Sequence, residues 1–130
     1  MPIIYESQFT VKSHDLDAMN HVNNVRYLQW VQDVSVAHWN NVATDEWRQK
    51  YAWVALNHFI EYKKPAFQGD KLQIVTHVAS NQGVKCNRLV RILNAETTEL
   101  IAQSSSWWCM IDPNTMKPLR ITEDIKKAFI

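Results

Sequence analysis

Residues 3–12 (IIYESQFTVK) alternate loosely between apolar and polar side chains, the period-two pattern of a strand with one buried face. Residues 13–23 (SHDLDAMNHVN) are polar and turn-prone. From Asn24 to about Ala43 the period becomes helical. At 100° per residue, Arg26, Gln29, Asp33 and Asn40 fall on one stripe roughly 60° wide. Apolar side chains fill most of the remaining circumference, which predicts a buried helix, with Asn23 or Asn24 as its N-cap. Residues 44–50 (TDEWRQK) read as a further helical turn capped by Thr44.

Four strand-like runs follow at 53–63, 71–80, 84–94 and 100–111. Turns are expected at Gln68-Gly69-Asp70, at Asn81-Gln82-Gly83 and within 94–98. The last strand ends at Asp112-Pro113-Asn114-Thr115. Thr122 and the acids after it predict a short terminal helix over 122–129. Strand, long helix and four strands in meander-like spacing make an α+β architecture: an antiparallel sheet wrapped around one apolar helix. Such a sheet leaves edges and one face partly open, so a homo-oligomer is expected.

Composition narrows the picture. The 130 residues suit one domain, and 46% hydrophobic with 21% charged residues excludes a disordered chain. Fourteen basic against thirteen acidic residues give +1, which supplies no face for nucleic acid. No run is long enough to cross a bilayer, and the start lacks a signal-peptide pattern. Cys86 and Cys109 form no disulfide framework and read as reduced thiols, so a cytoplasmic protein is expected. Six tryptophans ask for a large core, a ligand pocket or a subunit interface.

The chemistry concentrates in residues 14–24, His-Asp-Leu-Asp-Ala-Met-Asn-His-Val-Asn-Asn, directly before the long helix. A helix N-terminus presents unpaired N–H groups and about half a positive charge, which suits an oxygen that becomes negative during reaction. Asp17, just before it, is placed to attack a carbonyl or to activate water. Asp and Asn also populate capping loops for purely local reasons, and that reading stays open here. His14, Asp15, Asp17 and His21 have metal-binding side chains, but their spacing fits no closed zinc pattern, and no metal is expected.

The stretch Leu16-Asp17-Ala18-Met19-Asn20-His21-Val22-Asn23-Asn24-Val25-Arg26-Tyr27-Leu28-Gln29-Trp30 resembles the signature of small hotdog-fold acyl-CoA thioesterases, the 4-hydroxybenzoyl-CoA thioesterase-like family. Plant acyl-carrier-protein thioesterases carry a similar run. Weaker echoes follow at Ile60–Pro65 with Gly69-Asp70, and at Met110-Ile111-Asp112 with Thr115 and Pro118. The resemblance implies a hotdog fold, a five-stranded antiparallel sheet around a long central helix, acting as a homodimer or homotetramer. It implies hydrolysis of an acyl-CoA, or an acyl-carrier-protein thioester, to free acid and thiol. Asp17 matches the family's catalytic carboxylate, His21 a histidine of the HVNN type, and Asn24 the position of an oxyanion-binding backbone N–H. Met19 departs from the plant enzymes, which have an asparagine there, and leaves Asp17 with more of the task.

A thiolate leaves without prior protonation, since thiols ionise near ~8.5, so one carboxylate suffices; no Gly-x-Ser-x-Gly elbow is present. No cofactor is expected, CoA being part of the substrate. Asp33 is a second carboxylate candidate, whose plainer role is pairing with Arg26 or facing solvent. His58 and Asn57 point to opposite faces of one strand, as do Trp107 and Trp108. Ser104-Ser105-Ser106 leaves room for an acyl chain or serves a tight strand crossing. Lys63, Lys64, Arg88, Arg91, Lys117 and Arg120 are the candidates for CoA phosphates. The competing functional reading is a non-catalytic hotdog module that binds acyl-CoA; a hydratase motif is not visible.

Overall fold

Asn23 has extended backbone angles, and its side chain accepts a hydrogen bond from the Val25 N–H, which starts helix α1 at Asn24–Val42. The computed structural model describes residues 2–130. Around α1 are arranged β1 (Tyr5–Thr10), α2 (Asp45–Lys50), β2 (Ala52–Tyr62), β3 (Lys71–Gln82), β4 (Lys85–Asn94), β5 (Leu100–Ile111) and α3 (Glu123–Ala128). Thr44 and Thr122 cap α2 and α3 by accepting from the N–H groups of Trp47 and Ile125. Residues 13–15 add a 3₁₀ turn within the segment expected to be irregular.

The expected five-stranded antiparallel sheet is present, in the order β1-β3-β4-β5-β2. The meander holds for β3, β4 and β5, whose short reversals match the predicted turns. Gly83, at φ 65°, supplies the left-handed residue that the β3–β4 reversal needs. It does not extend to β2, which pairs with β5 and leaves β1 and β2 as the two edges. The reason lies in residues 63–70: Pro65 breaks strand pairing, and the segment passes from the edge strand β2 across β5 and β4 to β3. Its path is fixed by hydrogen bonds from Lys63 and Lys64 N–H to the Ile101 carbonyl, and from Gly69 N–H to the Val11 carbonyl.

Alternation along β3 and β4 places Leu72, Ile74, Thr76 and Val78 beside Cys86, Arg88, Val90 and Ile92 on the buried face. The core is in two parts. Trp30, Val31, Val34, Leu72, Ile74 and Ile92 gather around the first half of α1. Trp39, Val78, Trp108, Met110, Ile125 and Phe129 gather around its second half. α1 is not buried all round as its composition predicts: Val25 is 69% and Val36 52% exposed, on the same side as Gln29, Asp33 and Asn40. The edge strand β2 likewise exposes Leu56 and Phe59.

Between the two apolar clusters runs a buried polar band. Arg88 Nη1 donates to His38 Nδ1 at 2.9 Å and to Thr76 Oγ1 at 3.1 Å. Since a guanidinium only donates, His38 Nδ1 is the acceptor and its proton sits on Nε2, which has no partner among the described residues. Burial, with Arg88 beside it, lowers the His38 pKa to about 4. The unfolded chain therefore binds a proton that the folded chain refuses between about pH 6.5 and 4. His38 contributes its full stability above pH 6.5, and that stability is lost as the pH falls toward 4. Urea unfolding at pH 7.5 and pH 5 should differ by about 2 kcal/mol on this account. His38→Gln should shrink the difference; a variant that retains all of it would show that the acid sensitivity lies elsewhere.

Candidate active site at the start of the long helix

The loop before α1 closes on itself before it reaches the helix. Asp17 N–H donates to the His21 carbonyl at 2.8 Å, and Leu16 and Val22 form an antiparallel bridge. Asp17 Oδ1 accepts from the N–H groups of Met19 at 2.8 Å and His21 at 3.2 Å, an Asx-type turn. Asn20 takes the left-handed conformation, φ 62°, that this reversal demands and that asparagine tolerates. Part of the local capping reading is therefore correct: one carboxylate oxygen is committed to the loop. Oδ2 has no hydrogen-bond donor among the described residues.

The helix start leaves a complementary group. Asn23 caps the Val25 N–H at 3.1 Å, and the Arg26 N–H donates to the Asn23 carbonyl at 2.8 Å. The Asn24 N–H has no acceptor among the described residues. Asn23, not Asn24, is thus the cap, and its choice of Val25 leaves the first helical amide free.

Asp17, His21 and Asn24 line one cleft of about 240 Å³ together with Tyr27, Tyr62, Lys63, Lys64 and Pro65. The far wall is the crossing segment, held by Val22 N–H donating to the Ala66 carbonyl at 2.9 Å. His21 is half-buried and sets its ring edge-on to Phe67, centroids 5.1 Å apart. A carboxylate oxygen and an unpaired amide in one cleft are the parts that addition to a carbonyl requires.

Sequence patterning assigns Tyr27 to the apolar side of α1, and its ring does pack against Trp30. Its hydroxyl is buried in the cleft wall with no well-formed hydrogen bond among the described residues, and burial, opposed by the nearby Ala66 backbone, pushes the phenol up to about 12. The phenol is therefore a proton-bearing donor at neutral pH. Only the tyrosine of the HVNN-x-x-Tyr run signalled it.

The remaining candidates separate cleanly. Asp15 is buried and spoken for by the Lys12 N–H and by Arg26 Nε, both at 2.9 Å. Arg26 is therefore not the partner of Asp33, which is exposed and accepts from Gln29 at 2.9 Å. Among the described residues no three of His, Cys, Asp and Glu gather closely enough to hold a metal ion. His58 faces inward, its Nδ1 2.6 Å from Ser106 Oγ and its ring edge-on to Trp108. Asn57 instead accepts from the Trp107 N–H at 3.3 Å, beside a bulge in β2. Of the basic candidates, Lys63 and Lys64 stand at the cleft, where they pair with Glu61 and Glu99. Arg91, Lys117 and Arg120 are exposed elsewhere, and Arg88 is buried at 5% exposure, out of reach of a CoA phosphate at the surface.

Among the described residues no helix is long and apolar enough to cross a membrane. The family model for the acyl-ACP thioesterase N-terminal domain matches residues 2–129. The chain is 26% identical over 127 residues to a long-chain acyl-CoA thioesterase, FadM, of Escherichia coli, covering 95% of this chain and 96% of that one. It is 24% identical to the chloroplastic oleoyl-acyl carrier protein thioesterase 2 of Arabidopsis thaliana, across 97% of this chain but 37% of the plant protein. Its fold superposes on the crystal structure of YbaW, a probable thioesterase from Escherichia coli, with a TM-score of 0.84 at 25% identity, covering 95% and 94% of the two chains. The chain therefore belongs to the acyl-ACP thioesterase family of hotdog-fold proteins, and it is a thioester hydrolase.

Proposed function

We propose that the protein hydrolyses acyl-CoA thioesters to free acid and CoA, with Asp17 as the catalytic carboxylate and the Asn24 amide as the oxyanion donor. The observation that carries this reading is the unpaired Asn24 N–H in the same cleft as Asp17. The thioester carbonyl binds with its oxygen toward that N–H. Asp17, through Oδ2, either takes a proton from the attacking water or adds to the carbonyl carbon itself. Negative charge collecting on the carbonyl oxygen is met by the amide and the positive end of α1. Collapse breaks the carbon–sulfur bond, and the thiolate departs without a general acid. Direct attack leaves an anhydride on Asp17, which a water molecule then cleaves. No cofactor enters the scheme.

His21 positions water or the carboxylate. Lys63 and Lys64 are the cations nearest the cleft for CoA phosphates, each already beside a carboxylate that the substrate must outcompete. Identity to a long-chain acyl-CoA thioesterase along the whole length supports CoA as the carrier. Identity to an acyl carrier protein thioesterase keeps protein-borne thioesters as the second substrate class to assay.

The protein acts as a homodimer or homotetramer in this reading. Its support is apolar surface left open on β2 and on the outer stripe of α1, with Leu56 50%, Phe59 66%, Val25 69% and Val36 52% exposed. Sedimentation velocity at micromolar concentration should give a species of at least two chains, and Phe59→Asp should shift it toward the monomer. A monomeric parent protein would remove the assembly from the proposal.

Two substitutions test the chemistry. Asp17→Asn preserves the Oδ1 acceptor that the loop uses and should lower the rate of thiol release from acyl-CoA by at least ~10²-fold. A variant as fast as the parent would discard Asp17 as the catalytic group. Asn24→Pro removes the proposed oxyanion donor and little else. Proline is favoured at the first helical position, and Asn23, at φ −65° and ψ 133°, already has the backbone that a residue before proline adopts. Its circular dichroism should match the parent's while kcat falls by about 10²–10³-fold. An unchanged kcat would move the oxyanion site elsewhere.

A further inference from the structure

The second half of α1 borders another cavity, of about 390 Å³, that the proposed hydrolytic site does not use. Trp39, Trp53, Val78, Trp108 and Phe129 make its walls apolar, and Arg88 lies among them. Trp39 is about 15 residues along α1 from Asn24, hence about 22 Å along the helix axis from the cleft.

Arg88 is the anomaly. Its side chain is buried at 5% exposure, yet no carboxylate pairs with it among the described residues. Its hydrogen-bond partners, His38 Nδ1 and Thr76 Oγ1, are neutral and both engage Nη1. Phe129 adds only a ring face, 5.8 Å from the guanidinium carbon. Burial lowers the Arg88 pKa to about 10, which still leaves it protonated near neutrality. Nor can His38 supply a negative charge. Buried cations are ordinarily paired, because the desolvation of an isolated one is costly. Arg48, at the same cavity, is by contrast committed to Asp45 and to the Asn40 and Ala43 carbonyls.

We propose that this cavity is a second ligand site, which takes a carboxylic acid with an apolar body. The carboxylate pairs with the Arg88 guanidinium, whose fork matches two oxygens, and the hydrocarbon lies among the aromatic walls. Two sources present this chemistry: a free acid, or the far end of an acyl group that itself carries a carboxylate. The site does not depend on the hydrolytic reading, and binding is measured without turnover.

Tryptophan fluorescence titrated with decanoate and with 1-decanol separates the charged contact from the apolar one. Decanoate should bind at least about tenfold more tightly than the alcohol. Arg88→Met should remove that preference while the alcohol still binds, and Arg88→Lys should retain part of it. Equal binding of the two probes to the parent protein overturns the proposal, and that comparison needs no variant to fold. A preference that survives Arg88→Met overturns it as well. Hydrolysis rates for octadecanoyl-CoA and the mono-CoA thioester of octadecanedioic acid, a chain long enough to reach from the Asn24 amide to Arg88, then identify the source. An Arg88-dependent preference for the diacid assigns the carboxylate to the substrate's tail. Arg88-dependent decanoate binding without that preference assigns the site to a free acid.

Discussion

The hydrogen bond from the Val22 N–H to the Ala66 carbonyl holds the candidate active site together. Val22 and Ala66 are both buried, so this pair lies away from competing water. It joins the loop that starts α1 to the segment that crosses from β2 to β3. Without that junction, Asp17 and His21 would belong to a surface loop, and Lys63, Lys64 and Pro65 to another. The sheet order makes the junction necessary. Because β2 pairs with β5 and β1 with β3, the chain must pass β5 and β4 between β2 and β3. The helix start lies along that crossing.

Two aspartates, two positions apart, differ in how far the protein's own donors occupy their oxygens. Asp15 is buried, with its oxygens engaged by Arg26 and the Lys12 N–H, and its carbonyl accepts from Asn23 N–H at 2.8 Å. It fixes the cap residue, and so the direction in which the first amides of α1 point. Asp17 satisfies its loop with one oxygen and keeps the other unbonded toward donors of the protein. This placement suits the catalytic role proposed for Asp17, since the loop bonds restrict the carboxylate before any substrate arrives.

Most of the fold was legible because it rests on period. The strands at 71–80 and 100–111 and the helix from Asn24 were readable from alternation and from the Asn cap. The place of β2 was not, because periodicity is local and strand order depends on what a connection can span. The exposure of Val25 and Val36 escaped for a related reason: an apolar side chain left at the surface looks, in sequence, like one facing the core. At the site, the His-Asp-Asn loop and the HVNN run located the cleft. The placement of the Tyr27 hydroxyl in the cleft wall could not be read, since a tyrosine that packs its ring and one that presents its hydroxyl share the same helical phase.

Arg88 illustrates the other limit. On β4 it occupies an inward position by strict alternation, and a basic residue there is counted with the solvent-facing cations only if the alternation is ignored. The registers place it opposite Ser106, which itself lies opposite His58 and bonds to it, so one polar band crosses the inner face from Thr76 to β2. Such a band divides the core into the two apolar clusters, one under each half of α1. A continuous apolar core would fill the same space with less desolvation cost, as replacements of buried charges by hydrophobic groups have often done. The band makes physical sense where the second cluster surrounds a cavity and not a filled interior, for there an inward cation has something left to meet. The same division places the candidate cleft and the aromatic cavity beside different apolar clusters.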